Sequence, residues 1–223
     1  MTGGVHRVDG VNGNVYLIVS EPDSATLVDT GMPRSESKIQ RILSGVMGDG
    51  AVVKQIVLTH CHVDHAGSAK ALKQTLAAKV YVGEKDAPYV AGEEKLYPKG
   101  VMGAAFRLFE PAVRFSPFQP DGTLSGGEKV GSLRVIPVPG HTPGSICLYD
   151  EDTKTLFSGD ALLSSGGQLK LPNRSFSYDY QLALNSLSKL LEMGLQIENL
   201  CPGHGDPVLG DVGHNLRELM ENG

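Results

Sequence analysis

Between Thr59 and Gly67 the chain reads Thr-His-Cys-His-Val-Asp-His-Ala-Gly, which places three histidines and an aspartate within six residues. Imidazole and carboxylate side chains are the usual protein ligands of zinc, iron, manganese and nickel. His60, His62 and Asp64 alternate along a segment that starts extended, so their side chains share one side of the backbone. His65 follows where the chain turns into a helix. Four groups placed this way can serve two neighbouring positions. A single tetrahedral ion does not need that arrangement.

The rest of the chain offers further ligands in similar settings. There are seven histidines, and two of those outside the motif lie just past apolar strand-like runs, in turns rich in glycine and proline. They are His141, in Val138-Pro-Gly-His-Thr-Pro-Gly-Ser145, and His204, in Leu200-Cys-Pro-Gly-His-Gly205. Asp160 closes the run Phe157-Ser-Gly-Asp160. Strand ends from different parts of a sheet edge can converge on one cleft, and glycine lets backbone approach closely there. A structural zinc site is usually closed and often built on cysteine, which does not match this set. His6 and His214 fall outside the pattern and read as surface histidines. Cys61 lies between two ligand candidates and is expected to face away from them, as packing.

The elements that must position these groups follow from hydrophobic periodicity. Residues 14–20 and 25–29 read as a strand hairpin across the turn cluster Glu21-Pro-Asp-Ser24. Ile39, Ile42, Leu43 and Val46 give a helix over 35–47. Residues 54–58 form a buried-type strand that ends where the histidine motif begins. A helix over 67–78 and a strand over 79–82 complete a β-α-β order. Strands follow at 133–138, 145–149 and 155–157, then a helix over 180–193, a strand over 197–200 and a closing helix over 212–220. The order of elements suggests two similar halves. Residues 84–120 carry seven aromatic or methionine side chains interrupted by five prolines. A packed connector, a lid over a pocket and a dimer contact all fit that stretch.

Composition bounds the partners. The 223 residues suit one large domain, taken as 1–223, and the net charge is -5 without any long Lys/Arg run. A nucleic-acid track is not expected. No stretch approaches 18 continuous apolar residues and the first five residues have no apolar signal core, so no membrane partner and a cytoplasmic location are expected. The three cysteines are widely spaced and read as reduced thiols rather than a disulfide framework.

His60-x-His62-x-Asp64-His65, followed in order by His141, Asp160 and His204, resembles the metallo-β-lactamase superfamily of metal-dependent hydrolases. The resemblance runs from Leu27-Val-Asp29-Thr-Gly31 to the Pro-Gly-His-Gly turn at 202–205. It implies the α+β class and a four-layer αββα sandwich. It also implies two divalent metal ions, zinc first, with iron or manganese as alternatives. One ion would take His60, His62 and His141, the other Asp64, His65 and His204, with Asp160 bridging. Asp29 would orient a ligand histidine from behind. A hydroxide held between the ions would attack a carbonyl carbon, with Asp64 or Asp160 handling the proton. Asp64 is the candidate catalytic residue.

Within that superfamily, lactam-hydrolysing members typically lack the His65-type ligand or carry Cys where Asp160 stands. The flavodiiron pattern has Glu at the place of His62. Glyoxalase II is similar through the metal motifs, but its glutathione-gripping C-terminal extension has no counterpart in the sequence after His204. Homoserine-lactone lactonases often carry Tyr where this chain has Leu163. Persulfide dioxygenases use one iron and a Gly-Cys-Gly-Arg run that is missing here. The expected activity is therefore hydrolysis of a small-molecule thioester, lactone or ester. A mononuclear iron oxidoreductase of the persulfide dioxygenase type is the alternative. Lys170 and Arg174 could meet an anionic part of the substrate, and a homodimer is compatible with the sequence.

Overall fold

The apolar residues of neighbouring strands sort by alternation into three separate layers, and these layers define the architecture. The computed structural model describes residues 4–21, 24–47, 51–97 and 115–222. The first sheet has six strands in spatial order: β1 (Val5–Val8), β2 (Val15–Glu21), β3 (Ser24–Val28), β4 (Val52–Leu58), β5 (Lys79–Gly83) and β6 (Gly122–Leu124). The first two pairings are antiparallel and the rest are parallel. The second sheet contains β7 (Lys129–Val130), β8 (Leu133–Pro137), β9 (Ile146–Asp150), β10 (Thr155–Gly159), β13 (Asn199–Pro202) and β14 (Val208–Leu209). Only β10 and β13 pair in parallel there. A separate hairpin joins β11 (Leu163–Ser165) to β12 (Gln168–Lys170).

On β4, Val57 points into the layer between the sheets, while Ile56 and Leu58 point outward. The inner layer joins Tyr16, Ile18, Val28 and Val57 of the first sheet to Leu133, Ile146, Leu148 and Phe157 of the second. One outer layer packs Leu17, Leu27, Ile56 and Leu58 against Ile39 and Leu43 of α1 (Glu36–Val46) and Leu72 of α3 (Ala69–Leu76). The other packs Cys147, Tyr149, Leu156 and Leu200 against Leu187 and Leu190 of α5 (Tyr180–Glu192) and Leu216 of α6 (Val212–Asn222). This is the αββα sandwich. Strands β3, β9 and β10 are buried at every position because both of their faces are covered.

Local differences from the sequence expectations have physical causes. The expected helix over 67–78 is the shorter α3, and a separate single turn, α2 (Val63–Ala66), precedes it across Gly67-Ser68. Ser68 turns its hydroxyl away from its own helix: Oγ donates to Met32 O at 2.7 Å and accepts from Ser35 N at 2.9 Å. The last central strand lies at 199–202 rather than 197–200, because Ile197 packs under the helices. In the 84–120 stretch, a 3₁₀ turn (Glu84–Asp86) leads into α4 (Ala87–Val90). Val90 and Phe118 are buried in the outer core, so both ends of the stretch act as packed connector. Met102, Phe106 and Phe109 lie outside the described residues. No helix among the described residues is long and apolar enough to cross a membrane.

Candidate metal centre

The ligand-type residues follow the C-terminal ends of β4, β8, β10 and β13, which open on one end of the sandwich. After β4 the chain bends at Thr59 and His60 and is extended at His62, whose carbonyl accepts from His65 N at 3.0 Å and Ala66 N at 2.8 Å. That single turn of α2 carries Asp64 and His65 round the corner. His60 and His62 therefore face one position, and Asp64 and His65 the next. All seven candidates come together.

His60, His62 and His141 form the first group, with His62 Nδ1 and His141 Nε2 2.9 Å apart. Asp64, His65 and His204 form the second. In it, His204 Nε2 lies 3.1 Å from Asp64 Oδ2 and 3.4 Å from His65 Nε2. The rings of His60 and His65 are 4.1 Å apart between centroids, so the groups adjoin. Asp160 sits between them. Its Oδ2 is 3.5 Å from His141 Nε2 and 3.6 Å from His204 Nε2, and its Oδ1 is 3.4 Å from His65 Nε2.

Three sets of contacts hold the ligand loops. Asp29 Oδ2 accepts from His65 Nδ1 at 2.8 Å, which leaves Nε2 aimed at the second group. The same carboxylate accepts from Thr59 N at 2.7 Å and Thr59 Oγ1 at 2.8 Å. Asn14 Nδ2 donates to Pro202 O and Gly205 O, and its backbone N–H donates to Gly203 O, which pins the turn carrying His204. Asp86, fully buried, accepts from Cys61 N, Thr142 Oγ1 and Gly144 N. Sequence reasoning anticipated Asp29 but missed Asn14 and Asp86. The available signal for Asp86 was its place, a carboxylate just beyond the glycine that ends a buried strand.

The electrostatics suit cation ligation. Burial and neighbouring imidazoles hold His60 and His62 below the ordinary histidine range, and burial pushes His141 down to about 3, which favours the neutral form that can ligate a cation. Burial opposes charge on His65, but Asp29 and Asp160 outweigh it and raise its pKa. The hydrogen bond with Asp64 raises His204. Burial would raise both site carboxyls, yet the imidazoles dominate: Asp64 falls below the usual carboxylate range and Asp160 falls to about 2. Among the described residues, His60 Nε2, His141 Nδ1 and Asp160 Oδ1 are buried without a hydrogen-bond partner. Such orphaned atoms are costly, and their concentration here fits a site that binds cations.

The site forms the floor of a cavity of about 670 Å³ that His62, Asp64, His141, Asp160 and His204 share with Met32, Val63, Tyr89, Leu96, Phe115, Leu163 and Phe176. Neither Lys170 nor Arg174, which the sequence allowed as contacts for an anionic group, is among the described residues that line this cavity. Lys170 is exposed on β12, and the Arg174 guanidinium lies 5.5 Å from the Tyr180 ring centroid, a stacking contact that holds it outside the cavity lining. His214 stands at the surface, 3.4 Å from Glu218. Cys61, Cys147 and Cys201 are free, buried thiols.

A model of the metallo-beta-lactamase superfamily matches residues 8–204. The probable metallo-hydrolase YflN of Bacillus subtilis is 32% identical over 93% of this chain and 86% of its own length. The acyl-coenzyme A thioesterase MBLAC2 of Gallus gallus is 32% identical over 87% of this chain and 73% of its own length. The hydroxyacylglutathione hydrolase GloC of Haemophilus influenzae is 30% identical over 86% of this chain and 85% of its own length. Among solved structures, TTHA1623 in a di-iron-bound form superposes with a TM-score of 0.69 at 26% identity, covering 92% of this chain and 93% of that one. Fold, ligand cluster and relatives define a metal-dependent hydrolase. The chain belongs to the metallo-beta-lactamase superfamily.

Proposed function

We propose that the protein is a two-ion hydrolase of thioesters with an apolar acyl group, with lactones and other small esters as the neighbouring substrates. The observation that carries this reading is Asp160, whose two oxygens lie within 3.4–3.6 Å of histidines from both groups. His60, His62 and His141 would hold one divalent ion, and Asp64, His65 and His204 the other, with Asp160 shared. Zinc is the first choice, and the di-iron form of TTHA1623 makes iron the next. Ions bound there supply an activated water and a Lewis acid for the carbonyl oxygen.

The chain's own residues account for the rest. Asp64 engages His204 through Oδ2, which leaves Oδ1 to take a proton from the attacking water and return it to the leaving thiolate or alkoxide. No side-chain nucleophile is needed. Ser158 Oγ donates to Leu162 O, and Ser68 Oγ lies against Met32 O and the Glu36 carboxylate at 3.3 Å, so neither hydroxyl is paired with a histidine. Tyr89, Leu96, Phe115 and Phe176 give the cavity an apolar wall that would exclude water and take up the acyl chain. The names of MBLAC2 and GloC, both thioester hydrolases, support the substrate class.

The test is a metal count on protein purified without added metal or chelator, paired with a screen of acyl thioesters and lactones. About two ions per chain, with thioester hydrolysis that a chelator abolishes and added zinc restores, is the expected result. One iron per chain with oxygen consumption on persulfides would overturn the reading in favour of the mononuclear oxidoreductase.

A further inference from the structure

Asp86 is a fully buried carboxylate that takes no part in either group of ligand candidates. A buried charge needs close donors to persist. Asp86 has three, all supplied by the two loops that carry the first group. Oδ2 accepts from Cys61 N at 2.8 Å, the amide between His60 and His62. The same oxygen accepts from Thr142 Oγ1 at 2.6 Å, next to His141. Oδ1 accepts from Gly144 N at 2.7 Å, three residues past His141. With the Thr142 proton directed at Asp86, the Ser145 hydroxyl, 2.7 Å away, donates to Thr142 Oγ1 and fixes its orientation.

The backbone is shaped around this contact. A Cβ on Gly83 would stand 1.9 Å from Gly144 O, and a Cβ on Gly144 would stand 2.3 Å from Asp86 N. Two glycines therefore let the turn after β5 touch the loop after β8, one from each sheet. The second group of ligand candidates is held by different residues, since Asn14 pins the turn of His204 and Asp29 holds the His65 ring.

We propose that Asp86 is the positioning residue of the His60–His62–His141 group, coupling the ligand loops of the two sheets and thereby setting metal affinity at that group alone. The carboxylate touches neither ion nor substrate. It fixes the distance between the backbone at Cys61 and the backbone at Thr142 to Gly144. Without it, His141 can drift from His60 and His62, while Asp64, His65 and His204 keep their own supports. The inference rests on the two-ion reading above.

Asp86→Asn keeps the volume and one acceptor oxygen, but it cannot accept at both ends. Metal-free wild type and variant are titrated with zinc against a chromophoric chelator. The wild type is expected to bind two equivalents. The variant is expected to bind one of them about 10- to 100-fold more weakly, the range for loss of a partner that orients a ligand, with the other unchanged. Two backgrounds assign the affected site. Added to His204→Ala, Asp86→Asn should weaken the ion that remains; added to His141→Ala, it should leave the remaining ion unaffected. A merely structural role would weaken both equivalents together and lower affinity in both backgrounds, which would overturn the proposal. Unchanged affinity for both ions would overturn it equally. If Asp86→Asn does not fold, as judged by circular dichroism of the metal-free protein, Thr142→Val removes one of the three bonds and must show the same selectivity. A wild type that binds a single equivalent would sink the two-ion reading itself and this proposal with it.

Discussion

Asp29 and Asp160 stand at matching places in the two halves of the molecule. In the first half, β1, β2 and β3 pair antiparallel, and α1 then leads into β4 alongside β3 in parallel. In the second half, β8, β9 and β10 pair antiparallel, and α5 leads into β13 alongside β10 in parallel. Each aspartate directly follows the third strand of its unit. The two chains turn differently there. Asp29 itself takes the left-handed conformation, φ 62°, which Asp tolerates better than most residues. In the second half Gly159 takes it, φ 50°, at a point where a Cβ would meet Thr59 Oγ1 at 2.4 Å. The turn thus comes one residue earlier, and Asp160 reaches the space between the ligand groups while Asp29 stays behind His65. The fourth strands also differ. The loop after β4 supplies four ligand-type residues, and the loop after β13 supplies only His204. The first unit thus carries four of the seven ligand candidates and the second carries three, His141, Asp160 and His204.

The largest expected effect comes from removing the aspartate between the groups. Asp160→Asn should abolish hydrolysis and lower the metal content per chain, measured by elemental analysis alongside thioester turnover. Asp29→Asn removes a hold on one ring. Its amide cannot accept from both His65 Nδ1 and Thr59 N, so a loss of about 10- to 100-fold in metal affinity or rate is expected. If Asp29→Asn proved as damaging as Asp160→Asn, the two positions would not differ in role. Smallest for activity is Phe157→Ala. Phe157 is fully buried between the sheets, with its ring 5.5 Å from that of Tyr16. The truncation should cost about 3–5 kcal/mol of stability and leave one unfolding transition in a thermal melt. Two separated transitions would mean that the halves unfold independently.

Much of this architecture is legible in the amino-acid sequence. Alternation and helical spacing place the long buried strands and the amphipathic helices, because those segments pack one clear face or both faces into a layer. The short strands β1, β6, β7 and β14 and the hairpin of β11 and β12 escape that reading. With two to four residues each, they carry too little pattern and depend on a neighbour's register. The seven ligand candidates stand out because His and Asp in glycine turns after strands are a chemical signal as well as a local one. Their supports are harder to see. Asp86 and Asn14 act through backbone groups 25 to 191 residues away, and only the place of Asp86 after a buried strand hints at a role. Lys170 and Arg174 show the opposite limit of sequence reading. Nearness in sequence to Asp160 suggests a role that the β11–β12 hairpin and the Tyr180 ring remove.

Both ligand groups draw on both sheets: His60 and His62 meet His141 in one, Asp64 and His65 meet His204 in the other. A cation seated in either group is therefore a cross-link between the layers of the sandwich. An ion that binds only the folded chain adds RT ln(1 + [M]/Kd) to its stability, about 2.7 kcal/mol for each site at a hundredfold excess over Kd. Heat resistance and metal supply become one variable, and a cell short of metal would hold a softer protein as well as an idle one.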